Sequence, residues 1–237
     1  TQPPDASTAA VDDPRLRRHA LGFLEVADKP SAEDLAAYYA RTYYQTEASN
    51  YRKTYPPLET EVIGLRIAQR AARAFALAGD RAPGRLLDVG CGEGFVVRHF
   101  HALGWQVAGI DFSRAGVDRM NPDCAPFVQQ GDVFQLLNDR IASGEQHDLV
   151  WLGNVLEHVL DPVGLLRSLR RLVAAGGLLV VTVPNDGNAY HEELLAHGDI
   201  ARRFWVAIPD HISYFTADSL RRTVTATGWD CLAIQGD

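Results

Sequence analysis

The chain has few cysteines and no long apolar run. Its 237 residues contain three cysteines, Cys91, Cys124 and Cys231, which are widely spaced and odd in number. This pattern excludes a disulfide framework and a zinc knuckle, and it favours a reducing compartment, so we expect a cytoplasmic protein. No apolar stretch approaches the roughly 20 residues that a membrane-spanning helix needs, and no signal-peptide pattern opens the chain.

Positive charge is also scarce. The formal net charge is −7 at pH 7 and the isoelectric point is about 5.6. Such a chain lacks the broad electrostatic attraction by which proteins hold nucleic acid or anionic membranes. We therefore expect a small molecule as the partner, no nucleic acid and no membrane span, and a homodimer is one oligomeric state left open.

Three regions of the sequence differ in pattern. Residues 1–20 are polar and contain prolines, which predicts a disordered start. Residues 21–84 carry two helical patterns and are expected to form a helical cap or lid. From 85 to 237, short apolar runs alternate with helical segments, which is typical of an α/β fold with a doubly wound, mostly parallel sheet. An irregular insertion at 186–215 interrupts this pattern, and 231–237 are predicted as a sixth strand.

A glycine-dense turn follows the first predicted strand of the α/β region. The segment LLDVGCGEG places Asp88 in the strand and Gly90, Cys91 and Gly92 in the turn before a helix. Glycines permit a sharp turn and a close approach to a ligand at the amino end of a helix. The spacing is G-x-G-x-G, whereas the dinucleotide fingerprint is G-x-G-x-x-G, so a phosphate cradle is disfavoured. A purely structural turn is the alternative.

Two aspartates end the next two predicted strands. Asp111 closes QVAGID, about 20 residues after the glycines, where a carboxylate can accept hydrogen bonds from both ribose hydroxyls. The alternative is a helix cap, for which Ser113 is better placed. Asp132 could accept from an adenine amino group, with the N–H of Val133 meeting a ring nitrogen, or it could cap the following helix. Together these features predict a site for an adenosine-containing ligand without a required pyrophosphate.

Four motifs in this order, LLDVGCGEG, VAGIDFS, GDV and DLVWLGNVLEHV, resemble those of class I S-adenosylmethionine-dependent methyltransferases. The resemblance covers 85–237 and implies a Rossmann-like fold with S-adenosyl-L-methionine as cofactor. It places the amino-acid end of the cofactor along Gly90 to Gly92 and near Asn154, the ribose on Asp111, and the adenine between Phe112, Asp132 and Val133. The family's sheet has seven strands, whereas the sequence ends with the predicted sixth, so we expect the seventh to be missing or replaced.

The segments EHV-DP and PDHISYFT resemble the small-molecule branch of this family, which acts on quinone precursors and sugars through oxygen nucleophiles. A hydroxyl acceptor needs a general base, and histidine is the side chain best matched to that task near neutral pH. The candidates are His211, His158 and His191, and the alternative for each is a structural histidine. Quinone-type relatives often carry a carboxylate where this chain has Asn154, so we predict no metal.

Two further segments have functional and structural alternatives. Tyr51, in a loop after Tyr43 and Tyr44, is predicted to close over the cofactor, because aromatic faces suit a sulfonium cation. The segment RRFW at 202–205 could bind a phosphate or carboxylate, or it could be a surface arginine pair beside a buried tryptophan.

The sequence thus predicts an S-adenosylmethionine-dependent methyltransferase that O-methylates a small polar acceptor such as a sugar or glycan precursor. An N-methyltransferase is the alternative if no base is needed. A nicotinamide oxidoreductase is disfavoured by the glycine spacing, and a non-catalytic subunit that binds an adenosine ligand stays open.

Overall fold

The computed structural model of the chain describes residues 13–42, 54–79 and 82–236. Tyr51, with its neighbours Tyr43 and Tyr44, lies outside these residues, so its predicted role at the cofactor stays a prediction.

Between residues 85 and 182 strands and helices alternate as the sequence pattern predicts, and further short strands lie outside that region. The elements are β1 (Leu16–Arg18), β2 (Leu24–Val26), α1 (Ala32–Thr42), α2 (Pro57–Ala78), β3 (Arg85–Val89), α3 (Phe95–Ala102), β4 (Gln106–Asp111), α4 (Ala115–Met120), a 3-10 helix (Pro122–Phe127), β5 (Val128–Gln130), α5 (Val133–Ala142), β6 (His147–Gly153), α6 (Pro162–Leu172), β7 (Val173–Thr182), α7 (Ala189–His197), β8 (Ser213–Tyr214) and α8 (Ala217–Ala226).

The chain divides into two compact units. The large-sheet unit comprises Ala36–Val155 and Arg167–Thr182, and it carries β3 to β7. The small-sheet unit comprises the described residues up to Leu35 together with Leu156–Leu166 and those from Val183 onward, and it carries β1, β2 and β8.

The large-sheet unit is a five-stranded parallel sheet with flanking helices, in the order β5-β4-β3-β6-β7. Four of the five residues of β3 are buried, as expected for a strand covered on both faces. Leu86, Phe100 and Trp151 form part of the core with Ile67 of α2. The predicted doubly wound α/β fold is therefore confirmed. The strand order reverses direction at β3, and ligands bind in such sheets at the carboxyl ends beside this switch point.

The small-sheet unit contains a three-stranded antiparallel sheet, in the order β1-β2-β8. Its apolar cluster consists of Leu16, Val26, Trp205 and Tyr214. Residues 13–20, expected within the disordered start, instead contribute β1, which pairs with β2 in the register Leu16↔Val26. Sequence periodicity misses these strands because they are only three, three and two residues long.

Three other predictions about the chain's organisation need correction. The insertion at 186–215 is not wholly irregular, since it contains α7 and β8. Residues 231–236 form no strand, because no neighbouring strand among the described residues completes their backbone hydrogen bonds. The region 21–84 does contain two helices, but β2 precedes them.

None of the helices in the described residues combines the length and the apolar character that crossing a membrane requires.

Candidate cofactor and acceptor sites

The glycine turn lies directly after β3, at the switch point of the large sheet. Gly90, Gly92 and Gly94 have φ values of 69°, 51° and 75°, in the left-handed region that side chains rarely adopt. A Cβ atom on Gly90 would also clash with the side chain of Val155. Glycine is therefore required here both for the turn and for the close packing beneath it.

The amides of this turn are occupied within the protein. Those of Gly90 and Cys91 donate to the carbonyl of Ile110 at 2.8 and 3.2 Å. The amide of Gly92 donates to Oδ2 of Asp111 at 2.8 Å. A phosphate cradle needs such N–H groups to point at the ligand, so the turn favours a cofactor that approaches without a phosphate.

Asp111 ends β4 and holds the glycine turn in place. Its Oδ1 accepts the amide of Ser113 at 2.9 Å while Oδ2 accepts that of Gly92, and the residue is 3% exposed. Burial raises the pKa of Asp111, and the main-chain N–H groups of Ser113, Gly92 and Phe112 oppose that shift. A carboxylate has about four acceptor positions, so these bonds leave acceptor capacity for ribose hydroxyls. Ser113, the alternative cap, precedes α4 and accepts the amide of Ala115 at 3.2 Å.

Asp132 is the N-cap of α5, which was the alternative interpretation of its sequence position. Its Oδ1 accepts the amide of Gln135 at 2.8 Å, and Val133 is the first residue of the helix. The adenine contacts predicted for Asp132 and Val133 stay predictions.

Asp88 lies in β3 just before the glycine turn, and Asn154 directly follows the neighbouring strand β6. Burial, together with the Asp111 carboxylate, raises the pKa of Asp88 well above its usual range, and Asp88 Oδ2 has no hydrogen-bond partner among the described residues. Asn154 has a φ of 54°, and its amide donates to the carbonyl of Thr182 at 2.9 Å. Asparagine tolerates this left-handed backbone better than most residues. The backbone conformation therefore explains an asparagine at position 154 independently of its predicted place near the amino-acid end of the cofactor.

Cys91 contributes its main chain to the glycine turn, and its thiol points into the protein interior. The side chain is buried in an apolar cluster with Val97, Val117 and Cys124. Burial raises the pKa of the Cys91 thiol well above its usual value, so the thiol is neutral and unreactive.

Two side chains that sequence reasoning left without a role anchor the turn at Glu93. The Tyr55 hydroxyl donates to Oε1 of Glu93 at 2.8 Å, and the Asn121 amide donates to the Glu93 carbonyl at 2.6 Å. Burial raises the pKa of Glu93, although the Tyr55 hydrogen bond opposes that shift. Neither residue belongs to a spacing motif, so only the fold could reveal them.

An aromatic contact links α1 to the residue after Asp111. The ring of Tyr39 lies 5.7 Å from that of Phe112, at an interplanar angle of 41°. The sequence assigned the covering aromatic to Tyr51, whereas Tyr39 is the described tyrosine that lies against Phe112.

The small-sheet unit contains a separate acid–histidine cluster, formed by Glu157, His158, Asp186, Asp210 and His211. The rings of His158 and His211 meet edge to face at a centroid distance of 4.9 Å. Nδ1 of His211 lies 3.7 Å from Oδ2 of Asp186, and Nε2 lies 4.0 Å from Oδ2 of Asp210. Nε2 of His158 lies 3.7 Å from Oε1 of Glu157. Four titratable groups therefore surround His211 within one compact region.

Backbone hydrogen bonds join the segment that carries Glu157 to the segment that follows His211. The amides of Ile212 and Ser213 donate to the carbonyl of Glu157 at 2.7 and 3.0 Å. The hydroxyl of Tyr214 donates to the carbonyl of His211 at 2.9 Å. The segment that begins β8 is thus fixed against the segment that carries Glu157.

Burial and neighbouring charges give the members of the cluster different proton affinities. Burial raises the pKa of Glu157, which is 1% exposed, to about 8. Burial lowers the pKa of His158. It also disfavours the charged form of His211, but Asp186, Glu157 and Asp210 outweigh burial and raise the pKa of that ring. Glu157 therefore holds its proton more tightly than an ordinary glutamate, His158 holds one less tightly than an ordinary histidine, and His211 holds one more tightly.

The tautomer of His158 follows from one short hydrogen bond. Its Nδ1 lies 2.7 Å from the main-chain carbonyl of Asp210, and a carbonyl only accepts. Nδ1 must carry the proton, which leaves the lone pair of the neutral ring on Nε2. His158 is thereby held in a form that can accept a proton.

Three members of the cluster also offer metal-ligand atoms. One donor atom each of Glu157, His158 and His211 lies within 4.8 Å of the other two. Sequence reasoning considered Glu157 and His158 with Asn154 and did not anticipate His211 as the third donor. The expectation that no metal is needed stays a prediction.

Comparison with known proteins identifies the family. Residues 63–234 match a family described as a methyltransferase domain. The chain belongs to this family.

Curated relatives and solved structures agree with this assignment. The chain is 30% identical over 152 residues to the ubiquinone biosynthesis O-methyltransferase of Aeromonas salmonicida, covering 61% of this chain and 62% of the relative. It is 29% identical over 153 residues to the Cereibacter sphaeroides protein of the same name, covering 62% and 60%. The matches thus span about three fifths of these relatives.

Two solved structures show the same fold. An S-adenosylmethionine-dependent methyltransferase from Archaeoglobus fulgidus has a TM-score of 0.54 and 20% identity, covering 71% of this chain and 68% of that one. The plantazolicin methyltransferase BpumL, in complex with SAH, has a TM-score of 0.56 and 16% identity, covering 82% and 73%.

In this methyltransferase domain, His191 lies outside the acid–histidine cluster. The ring of His191 stacks on Trp205 at a centroid distance of 4.5 Å, and its amide donates to Oδ1 of Asn188 at 3.1 Å as part of the α7 cap. Nearby, Arg203 pairs with Glu192 at 3.0 Å. These contacts favour the structural interpretation of both His191 and the RRFW segment.

Sequence reasoning also missed two carboxylates of the methyltransferase domain. Asp210 directly precedes His211 and could have been proposed from that adjacency. Asp186 is 8% exposed and faces His211 across the cluster. It stands 25 positions earlier in the chain, so only the fold brings the two together.

Proposed function

We propose that the chain is an S-adenosylmethionine-dependent methyltransferase that acts on a hydroxyl group of a small polar molecule. The observation that supports this proposal most is the glycine turn after β3, whose amides are occupied while its neighbour Asp111 retains acceptor capacity. That combination suits a cofactor in which a neutral or cationic group, rather than a pyrophosphate, is attached to the nucleoside.

The residues present fit such a cofactor. Gly90 and Gly92 allow its amino-acid end to lie against the main chain, Asp111 accepts from the ribose, and Phe112 offers an aromatic face to the adenine. Asp88, whose Oδ2 is buried without a hydrogen-bond partner among the described residues, supplies a further polar atom beneath the turn. S-Adenosylmethionine, when bound, supplies an electrophilic methyl group on a sulfonium whose leaving form is neutral.

The chain must then align the acceptor oxygen and take its proton. Alignment alone contributes roughly 7–11 kcal/mol in well-oriented systems. A general base adds about 10²- to 10⁴-fold because a hydroxyl is a poor nucleophile at neutral pH. We assign the base to His211, as the sequence predicted, with His158 as the second candidate.

The cluster supports a base at His211 for a physical reason. The carboxylate of Asp186 faces Nδ1 at 3.7 Å and stabilises the imidazolium that forms when the ring takes a proton. Asp186 is thus a positioning residue. At 3.7 Å this contact is an ion-pair distance rather than a hydrogen bond, and catalytic hydrogen bonds often form fully only in the reacting complex.

The acceptor class rests on different support. The sequence favours a small polar acceptor such as a sugar or glycan precursor. A phenolic acceptor is the second candidate, because the relatives at about 30% identity are named for ubiquinone biosynthesis. A phenol is more acidic than a sugar hydroxyl and would depend less on the base.

Titration calorimetry with S-adenosylhomocysteine and with NAD tests the cofactor assignment. We expect S-adenosylhomocysteine to bind and NAD to bind far more weakly. Tighter binding of NAD would favour an oxidoreductase and overturn the proposal. Binding without methyl transfer to any sugar, phenol or amine acceptor would favour the non-catalytic alternative.

A further inference from the structure

Helix α2 has one face in the core and an apolar face in solvent. On the inner side, Ile67 and Ala71 are buried and contribute to the core of the large-sheet unit. On the outer side, Leu58, Val62 and Leu65 are 71%, 37% and 54% exposed. A helix that packs on a sheet normally presents polar residues to solvent. The exposed apolar face of α2 is therefore a candidate contact surface.

The outer residues follow the spacing of a helix–helix seam. Steps of four and three residues alternate along the face and connect six exposed positions: Leu58, Val62, Leu65, Gln69, Ala72 and Ala76. An average period of 3.5 keeps such a stripe facing one neighbouring helix along the whole length. The helix has 22 residues, which is about 33 Å at 1.5 Å per residue.

The size of the side chains changes along this stripe. The amino-terminal half carries Leu58 and Val62, and the carboxy-terminal half carries Ala72 and Ala76. When two copies of α2 run antiparallel, the large residues of each lie opposite the small residues of the other. Such large-against-small layers interdigitate well.

Charge selects the same orientation. Glu61 lies in the amino-terminal half of the helix and Arg73 in the carboxy-terminal half, and both are exposed. The side chains of Glu61 and Arg73 make no hydrogen bond or ion pair to another described residue. An antiparallel copy brings the acidic end of one helix beside the basic end of the other, whereas a parallel copy places like charges together.

We propose that the outer stripe of α2 is the interface of a homodimer in which a second copy of this chain packs its own α2 antiparallel. A two-fold axis crosses the helix near its middle, so each copy uses the same patch. A single helix pair is at the low end of stable interface sizes, and we expect dissociation constants of about 1–100 µM.

Sedimentation velocity over about 1–300 µM protein tests this proposal without reference to methyl transfer. The wild-type chain is expected to dimerise as concentration rises. Leu65→Glu, at the centre of the stripe, is expected to weaken dimerisation at least tenfold. Leu103→Glu is the matched control, because Leu103 is 53% exposed and lies outside α2. Circular dichroism and thermal midpoints establish that each variant is folded.

A charge exchange tests the orientation. Arg73→Glu alone is expected to weaken the dimer, and adding Glu61→Arg is expected to restore it. In mixtures, a Leu58→Cys chain is expected to form a disulfide with an Ala76→Cys chain, and Leu58→Cys chains are not expected to crosslink with one another. A monomer at every concentration, an unaffected Leu65→Glu dimer or preferential self-crosslinking at position 58 would overturn the proposal.

Discussion

Replacing Asp111 with alanine tests the link between the glycine turn and the cofactor. In the structure this carboxylate accepts two main-chain amides, from Gly92 at 2.8 Å and from Ser113 at 2.9 Å. The proposed function gives it a second task, which is to accept hydrogen bonds from the cofactor's ribose. Asp111→Ala removes both, so it has one effect on stability and another on binding.

The two effects have separate magnitudes. Leaving a buried donor unsatisfied costs about 1–3 kcal/mol, so two amides cost about 2–6 kcal/mol of the unfolding free energy. For a domain of this size each kcal/mol lowers the thermal midpoint by about 2–4 °C. Hydrogen bonds to a charged acceptor contribute about 1.5–3 kcal/mol, so the Kd for S-adenosylhomocysteine is expected to rise roughly 10- to 150-fold.

Thermal melts and titration calorimetry measure these quantities independently. The calorimetry is run well below the variant's midpoint, on protein whose circular dichroism matches that of the wild type. Asp161→Ala is the matched control: Asp161 also accepts a main-chain amide, that of Gly164 at 2.8 Å, but lies in the α6 cap. We expect Asp161→Ala to cost about 1 kcal/mol of stability and to leave the Kd unchanged.

Two outcomes would contradict these roles of Asp111. If folded Asp111→Ala binds S-adenosylhomocysteine with the wild-type Kd, Asp111 does not hold the ribose. If its thermal midpoint is unchanged, the two main-chain hydrogen bonds do not stabilise the turn.

The other predictions concern the cap of α5 and the acid–histidine cluster. Asp132→Ala is expected to lower the free energy of unfolding by about 1 kcal/mol, the same loss as is expected for Asp161→Ala. Asp132→Ala is also expected to raise the Kd for S-adenosylhomocysteine. If the two variants bind this ligand equally well, Asp132 does not contact the adenine. His211→Ala is expected to lower turnover by about 10²-fold or more with less than a tenfold change in cofactor Kd; full turnover, with a loss in His158→Ala instead, would move the base to His158. The raised pKa of His211 means that kcat/KM should fall as the pH drops through that pKa, because the protonated ring cannot act as a base. In Asp186→Asn this acid limb should move to lower pH, and an unmoved limb would contradict the positioning role. Chelation is expected to leave turnover unchanged; a loss that magnesium restores would show that the cluster binds a metal.

The large-sheet unit could be predicted because the sequence patterns that indicate its strands and helices lie within each element. Most strands there are apolar runs bounded by turn residues, although β5 is Val-Gln-Gln, and the helices between them carry helical periodicity. Gly90, Gly92 and Asp111 follow from the same logic, since the ends of consecutive parallel strands meet at one edge of a sheet.

The small-sheet unit was not predictable in the same way. Strands of two or three residues carry no measurable period, and their pairing depends on contacts distant in sequence. The acid–histidine cluster shows the same limit. His158 and His211 could be named as candidates, but Asp186 has no motif that points to them. Asp132 shows the converse case, in which one residue satisfies a local rule and a functional hypothesis equally well.

Transfer of a tritiated methyl group from S-adenosylmethionine to a panel of sugars, phenols and amines tests the central claim most directly. We expect labelled O-methyl product from a hydroxyl acceptor with the wild-type chain, and at least about 10²-fold less with His211→Ala. Label on nitrogen only, or no transfer from a chain that binds S-adenosylhomocysteine, would contradict that claim.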